Sequence, residues 1–153
     1  MSEIRYIKTT KADIELLMQV RLEMLREVND LSDEYVFDET LVAENRRYFE
    51  DGNHTTVLAF DQQKIVGCVS LAYMWIMPTF EHPTGLRAHL MNVDRKSEYR
   101  RKGIAKEMIE LLLDEAKEKG VTEISLNATE MGRPLYKALG FEDNCTGMVL
   151  ELR

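Results

Sequence analysis

Arg95, Lys96, Arg100, Arg101 and Lys102 crowd positive charge just ahead of Gly103-Ile104-Ala105. The cluster lies between an apolar stretch, Leu86 to Asp94, and a stretch with helical periodicity that begins at Gly103. A helix start carries backbone N–H groups with no acceptor inside the helix, at the positive end of its dipole. Such donors suit an anion, a phosphate above all. Gly103 has no Cβ to hold a ligand off the backbone. The chain as a whole is acidic, with 20 Lys and Arg against 27 Asp and Glu and a net charge of −7. A local reversal of sign therefore points to an anionic ligand. Neither G-x-x-x-x-G-K-[ST] nor G-x-G-x-x-G occurs, which argues against a P-loop and against the dinucleotide fingerprint.

The elements around this turn can be read from periodicity. Ile4 to Ile7 is predicted as a strand, with Thr9 or Thr10 capping the helix after it. Ile14, Leu17, Met18, Leu22, Leu25 and Val28 recur at helical spacing between Asp13 and Val28. Asn29 to Thr40 is acidic and polar, a loop, and Leu41 to Glu50 is a second helix ending at Asp51-Gly52-Asn53. Thr55 to Phe60 and Ile65 to Met77 form a hairpin, with Gly67 marking a bulge. Pro78 to Gly85 is a loop, and Leu86 to Asp94 is the central strand. The helix Gly103 to Lys119 buries Ile104, Met108, Leu111, Leu112 and Ala116, and Gly120 ends it. A strand over Thr122 to Ala128, a short helix over Met131 to Leu139, and two last strands at Phe141-Glu142 and Gly147 to Leu152 complete the order. This is a mixed α/β layer with helices packed on one sheet.

Size and composition bound the rest. The chain has 153 residues, enough for one domain, here taken as 1–153. No apolar run approaches the roughly 20 residues of a membrane span. Met1 to Arg5 lacks a signal-peptide layout. Cys68 and Cys145 form no metal-ligand cluster, so no metal is expected, and they read as free thiols in a cytoplasmic protein. Cys68 lies in an apolar run and should be buried. The acidic balance argues against nucleic acid as a partner.

Arg100-x-x-Gly103-x-Ala105 resembles the R/Q-x-x-G-x-G/A signature of the GCN5-related N-acetyltransferase (GNAT) family. In that family the amides of this turn hold the pyrophosphate of acetyl-CoA. Gly132-Arg133-Pro134-Leu135-Tyr136-Lys137-Ala138-Leu139-Gly140-Phe141 is similar to the family's late LYxxLGF segment. The two motifs lie one helix and one strand apart, and the element order extends the likeness over the chain. The resemblance implies a single GNAT-type domain. Its central sheet would be mixed and mostly antiparallel, with about seven strands splayed at the middle and about four flanking helices. It departs from the family pattern at Thr129, where many members have asparagine, and at Ser97, where many have proline.

The resemblance also assigns roles. Acetyl-CoA would be the co-substrate, and its cofactor-binding set would be Val93, Asp94, Arg95, Arg100, Arg101, Lys102, Gly103, Ile104, Ala105, Lys106 and Thr129. Backbone groups of Val93 and Arg95 on the central strand would polarise the thioester carbonyl, as an oxyanion hole does. Tyr136 would be the acid for the leaving sulfur, since a phenol with a pKa of about 10 keeps its proton at neutral pH. His89 takes the place where several members have a glutamate base. Strand alternation is expected to put His89, Met91 and Val93 on one face. Glu81, His82 and a water chain are the other candidates for the base. The acceptor would be an amine on a small molecule or peptide, and a homodimer is left open. A non-catalytic acyl-CoA-binding module is the alternative, and Tyr136 together with the intact phosphate turn favours the enzyme.

Overall fold

A computed structural model describes residues 3–153. Met1 and Ser2, at the terminus read for a signal peptide, lie outside the described residues. The first strand, β1 (Ile4–Lys8), pairs antiparallel with β2 (His54–Asp61), from Ile4↔Asp61 to Lys8↔Val57. Between them Thr10 closes a capping box. Its hydroxyl accepts from the Ala12 N–H, and the Asp13 carboxylate accepts from the Thr10 N–H at 2.8 Å. That supplies acceptors for donors the helix start leaves open. Helix α1 (Ile14–Val28) comes next and buries Leu17, Met18 and Val20. Helix α2 (Glu39–Asp51) begins earlier than the expected Leu41, because Asp38 caps it by accepting from the Thr40 N–H at 2.7 Å.

Strand β3 (Lys64–Trp75) turns back on β2 as a hairpin. Ala59 pairs with Gly67 while Phe60 pairs with Ile65, so the bulge expected at Gly67 is there. A Cβ on Gly67 would lie 2.8 Å from the terminal methyl of Met108 and 3.3 Å from the Asp94 carbonyl, so a larger residue would make the Met108 side chain move. Strand β4 (Leu86–Arg95) pairs antiparallel with β3. Helix α3 (Ile104–Glu118) buries Ile104, Ala105, Met108, Ile109, Leu112 and Ala116. Each large side chain among them contributes about 1.5–3 kcal/mol of burial. Gly120, at φ +86, ends the helix turn and leads to β5 (Glu123–Ser125), parallel to β4, and then to the short α4 (Arg133–Ala138).

The strand order is β1-β2-β3-β4-β5, a mixed five-stranded sheet. On one face Val69, Leu71, Ala88 and Leu90 pack against α3, with Leu135, Tyr136 and Leu139 of α4 joining them. On the other face Leu58, Phe60 and Cys68 meet Val20 of α1, while Leu17 and Met18 meet Phe49 of α2. Cys68 is buried, as its apolar surroundings foretell.

The two expected closing strands are absent. Phe141-Glu142 and Gly147 to Leu152 run as irregular chain, so the sheet has five strands rather than about seven. The alternation of Met148, Leu150 and Leu152 is that of a strand. A strand needs a hydrogen-bonded neighbour, however, and among the described residues none lies beside this segment.

Candidate active site

The sheet opens where β4 leaves β5. The two strands share the register pairs Arg87↔Glu123, Ala88↔Ile124 and His89↔Ser125. Past His89, β4 continues to Arg95 with no strand on that side among the described residues. Backbone groups that a longer β5 would have paired are therefore available to a ligand.

The register against β3 breaks in the same stretch. Ser70 pairs with Met91, but Cys68 pairs with Asp94, so β4 carries an extra residue. Asn92 absorbs it in the left-handed region, at φ +58, which few non-glycine residues enter. Its side chain is held on both sides. Oδ1 accepts from Arg21 Nη1 at 2.9 Å, and Nδ2 donates to Cys68 Sγ at 3.3 Å. Burial, helped by the nearby Asp94 charge, pushes the Cys68 thiol up to about 12, so it stays protonated. The bulge also corrects an expectation. Met91 faces α1 and α2 and His89 lies on the face away from the α3 cluster, but Val93 is turned to the opposite face and packs with that cluster. Simple alternation fails because the extra residue reverses the phase of the strand.

Beyond β4 the chain makes a 3-10 turn at Ser97–Tyr99 and reaches α3. Lys96 N–H bonds the Val66 carbonyl at 2.9 Å, and the Tyr99 hydroxyl donates to Asp61 at 2.5 Å, which ties the turn to the sheet. Arg101 (φ +62) and Gly103 (φ +76) both take left-handed conformations. The Glu107 N–H closes on the Gly103 carbonyl at 3.0 Å. The amides of Ile104, Ala105 and Lys106 stand ahead of it, with no acceptor inside the helix. A Cβ built on Gly103 meets no atom within 4 Å, so the turn faces open space. Open N–H donors at a helix start are of the kind that suits an anion such as a phosphate.

The side chains of the expected cofactor set divide by what they touch. Ile104 and Ala105 are core residues, 1% and 4% exposed, and offer only backbone. Lys96 lies 3.8 Å from both Glu23 and Glu27, and Lys106 lies 3.8 Å from Glu110. Lys102 sits over the Tyr99 ring, while Arg100 and Arg101 are exposed at the turn. Asp94 and Arg95 are half-buried. Thr129 caps the approach to α4, its hydroxyl accepting from the Gly132 N–H at 3.1 Å.

Tyr136 stands on α4, half-buried, edge-on to Phe141 with ring centroids 6.1 Å apart. Its ring closes over Gly132, where a Cβ would come within 2.9 Å of it. Burial raises its pKa above the usual phenol value, and the charge of Arg95 partly offsets this. Val93 of β4 and Tyr136 of α4 pack on the same hydrophobic cluster, so the end of β4 and α4 share one neighbourhood. Among the described residues no hydrogen bond occupies the Tyr136 hydroxyl. His89 is on the other face of β4, at the mouth of the split, with Nδ1 2.8 Å from the Ser125 hydroxyl. Among the described residues no hydrogen bond joins His89 and Tyr136. His82, an alternative base, is tied to β5 instead, with Nδ1 2.8 Å from the Thr122 hydroxyl and Nε2 3.6 Å from Glu123.

Sequence reasoning missed a cavity of about 120 Å³ beside the bulge, lined by Arg21, Asn45, Tyr48, Phe49, Ser70, Met91 and Asn92. Arg21 is held by two amide oxygens, Asn45 Oδ1 at 3.0 Å and Asn92 Oδ1 at 2.9 Å. Burial lowers its pKa, although it remains a cation. The Tyr48 hydroxyl is buried without a hydrogen-bond partner among the described residues. One signal was available: Arg21 is four residues after Leu17, on the inward stripe of α1. Among the described residues no three metal-ligating side chains cluster, and no helix is long and apolar enough to cross a membrane.

A model of the acetyltransferase (GNAT) family matches residues 22–141. The chain belongs to this family. Among solved structures, a "predicted acetyltransferase" from Clostridium acetobutylicum, determined with acetyl-CoA, is 27% identical with a TM-score of 0.82. The match covers 97% of this chain and 96% of that one. A GCN5-related N-acetyltransferase from Ralstonia eutropha is 23% identical, TM-score 0.76, over 98% of this chain and 99% of that one. An aminoglycoside acetyltransferase from an uncultured soil metagenomic sample, in complex with sisomicin, has the same fold at 16% identity and TM-score 0.73, over 98% and 97% of the two chains. A search of curated protein sequences finds no match. For a GNAT protein the split in the sheet and the glycine turn are the features to expect, and both are present here.

Proposed function

We propose that residues 1–153 form one acetyltransferase domain that moves the acetyl group of acetyl-CoA to a primary amine by direct attack. The observation that carries this reading is the open helix start at Gly103, one turn beyond the split, with the unoccupied Tyr136 hydroxyl in the same neighbourhood. The amides of Arg101 to Lys106 would hold the pyrophosphate, with Arg100, Arg101 and Lys102 adding charge. Asp94 and Arg95 would line the path from the split, and Thr129 would support it from the α4 side. The cytoplasm, where acetyl-CoA and reduced thiols coexist, is the proposed location.

The residues then divide the chemistry. Backbone donors at Val93 and Arg95 stabilise the oxygen that becomes negative as nitrogen attacks. The new C–N bond forms, the C–S bond breaks, the sulfur takes a proton from Tyr136, and the second proton of the acylated nitrogen passes to the tyrosinate and restores the phenol. Burial keeps that proton on the phenol at neutral pH, which is the state an acid requires. An amine arrives charged at neutral pH and must lose a proton before it attacks. His89 takes that proton through Nε2, since Ser125 fixes Nδ1. His89 lies on the face away from α3, and the cavity beside Arg21, which Met91 lines on the same side of the sheet, would give the acceptor room. Tyr136 serves from the opposite face, so acid and base act through the split from two sides.

A screen of amines with acetyl-CoA, reading thiol release, tests this reading. Amine-dependent release supports the enzyme. Acetyl-CoA binding without release across polyamines, amino acids, aminoglycosides and peptide N-termini would favour a sensor module.

A further inference from the structure

Arg21 is a half-buried cation without a counter-ion. Neutral amide oxygens hold its guanidinium, Asn45 Oδ1 at 3.0 Å from Nε and Asn92 Oδ1 at 2.9 Å from Nη1. Among the described residues Nη2 makes no hydrogen bond, and no carboxylate lies within ion-pair distance of Arg21. Other cations around α1 and α2 are matched, Arg46 with Glu15, Arg47 with Glu44, and Lys96 with Glu23 and Glu27. Taking a guanidinium out of water is costly unless an anion replaces that water. Arg21 lines the cavity of about 120 Å³, and so does Tyr48, whose hydroxyl is buried with no hydrogen-bond partner among the described residues. Burial raises the Tyr48 pKa, so this phenol keeps its proton and can donate it. Ser70 lines the same cavity. The Phe49 carbonyl can only accept, so His54 Nε2, 3.3 Å away, carries the ring proton. In the neutral ring Nδ1 then accepts from the Thr56 hydroxyl at 3.1 Å, and Thr56 accepts from Ser70 at 2.7 Å. Ser70 has thereby donated its proton and offers the cavity only lone pairs.

We infer that this cavity binds the carboxylate of the acceptor, so that the amine acetylated is a small amino acid. The amine half of this inference rests on the transfer reading above, and the carboxylate half rests on the cavity alone. The two oxygens of a carboxylate match the fork of a guanidinium. A carboxylate has no proton to give Ser70, so it settles against Arg21 and Tyr48, and Ser70 meets an N–H of the same molecule. The bond to Asn92 accounts for Arg21 standing at the bulge. It does not account for an outer nitrogen and a phenol both left without acceptors. A cavity of about 120 Å³ admits several groups the size of a water molecule, enough for a carboxylate and a few carbon atoms. The net charge of −7 repels an acceptor that is itself anionic, such as a phosphate ester, whereas an amino acid carries no net charge. The position fits as well. Arg21 is bonded to Asn92, next to Val93, where the strands have parted. Met91, which lines the cavity, is two residues beyond His89, about 7 Å along the strand. An amine a few carbon atoms from a carboxylate at Arg21 spans that gap.

The test compares acids with their amides, using glycine, alanine, β-alanine and γ-aminobutyrate against the corresponding amides. Binding to the full chain in the presence of coenzyme A is followed by NMR at the Arg21 Nε resonance. Transfer is followed by thiol release from acetyl-CoA. The acids should shift the Arg21 resonance, bind about tenfold or more tightly than the amides, and exceed them by a similar factor in kcat/KM, as a hydrogen-bonded charge pair requires. Arg21→Gln should abolish the preference. Tyr48→Phe keeps the ring and removes a hydroxyl that has no partner, so it should fold as the wild type does and lower the preference several-fold. If Arg21→Gln does not fold, the wild-type comparison and Tyr48→Phe decide. Equal affinity for acids and amides, or a preference that survives both variants, overturns the inference. Acids that bind at Arg21 with no thiol release from any amine support the carboxylate site and overturn the transfer reading instead. Thiol release as fast with the amides as with the acids upholds transfer and overturns the carboxylate site.

Discussion

Replacing Tyr136 with phenylalanine separates catalysis from structure more cleanly than any other change at this site. The ring keeps its edge contact with Phe141 and its seat over Gly132. The hydroxyl has no hydrogen bond among the described residues, so its loss strands no buried partner, and stability should move by less than about 0.5 kcal/mol. A positioned acid is worth roughly 10²- to 10⁴-fold in rate, which corresponds to about 2.7–5.5 kcal/mol at the transition state. The hydroxyl meets charge that develops only as the thiolate leaves, so acetyl-CoA affinity should hold while turnover falls. The assay is the initial rate of thiol release with both substrates saturating, beside calorimetric affinity and thermal unfolding. The pH profile adds an independent readout. Burial raises the Tyr136 pKa, so the wild-type protein should lose this acid only above the ordinary phenol value of about 10. The phenylalanine variant should lack that alkaline fall. A loss of turnover below about threefold, with binding intact, lies far short of a positioned acid and would refute the role.

Three further outcomes are expected. Gly103→Val forces a branched residue into a left-handed conformation but meets no neighbouring atom. Stability should drop by about 1–2 kcal/mol, and acetyl-CoA affinity measured by calorimetry should fall steeply; an unchanged affinity in the folded variant would remove the turn from the cofactor site. His89→Ala should lower turnover at neutral pH and recover part of it at higher pH, where more amine is already neutral. A wild-type rate and profile would exclude His89 as the base. Glu115 tests the α3 face. Burial alone would raise its pKa, but hydrogen bonds from Tyr73, Thr55 and Lys8 outweigh this and lower it. Its contribution is therefore present above the unfolded value of about 4.3 and fades as pH falls through the folded one. Glu115→Gln should cost about 1–3 kcal/mol at neutral pH and flatten the acid limb in denaturant titrations; an acid limb as steep as the wild type's would contradict this.

The parts of this fold that local chemistry determines were legible in the sequence. Ile104, Met108 and Leu112 repeat at helical spacing, and the helix they predict is there, starting one residue after Gly103. Gly67 marked its bulge because a glycine inside a strand pattern signals a local irregularity, and the register breaks beside it. Asn92 gave no such sign. Its bulge arises from the register between β3 and β4 and from bonds to Arg21 and Cys68, partners far away in sequence. Val93 was placed on the wrong face for the same reason. The run from Gly147 to Leu152 has the alternation of a strand, but pairing is a tertiary fact that alternation cannot supply. The glycine at the helix start was legible from its spacing, and the role proposed for Tyr136 comes from the resemblance to the family. The cavity beside Arg21 was not, since it is assembled from α1, α2, β3 and β4.

Direct transfer across the split is the central claim, and a single-turnover experiment tests it most closely. The protein is mixed with acetyl-CoA carrying an isotope-labelled acetyl group, its intact mass is read, and an amine that supports turnover is then added. The account predicts an unmodified protein mass before the amine arrives, followed by labelled amide and free thiol in equal amounts. Labelled acetyl-protein that forms before the amine is added, and then decays as amide appears, would contradict it.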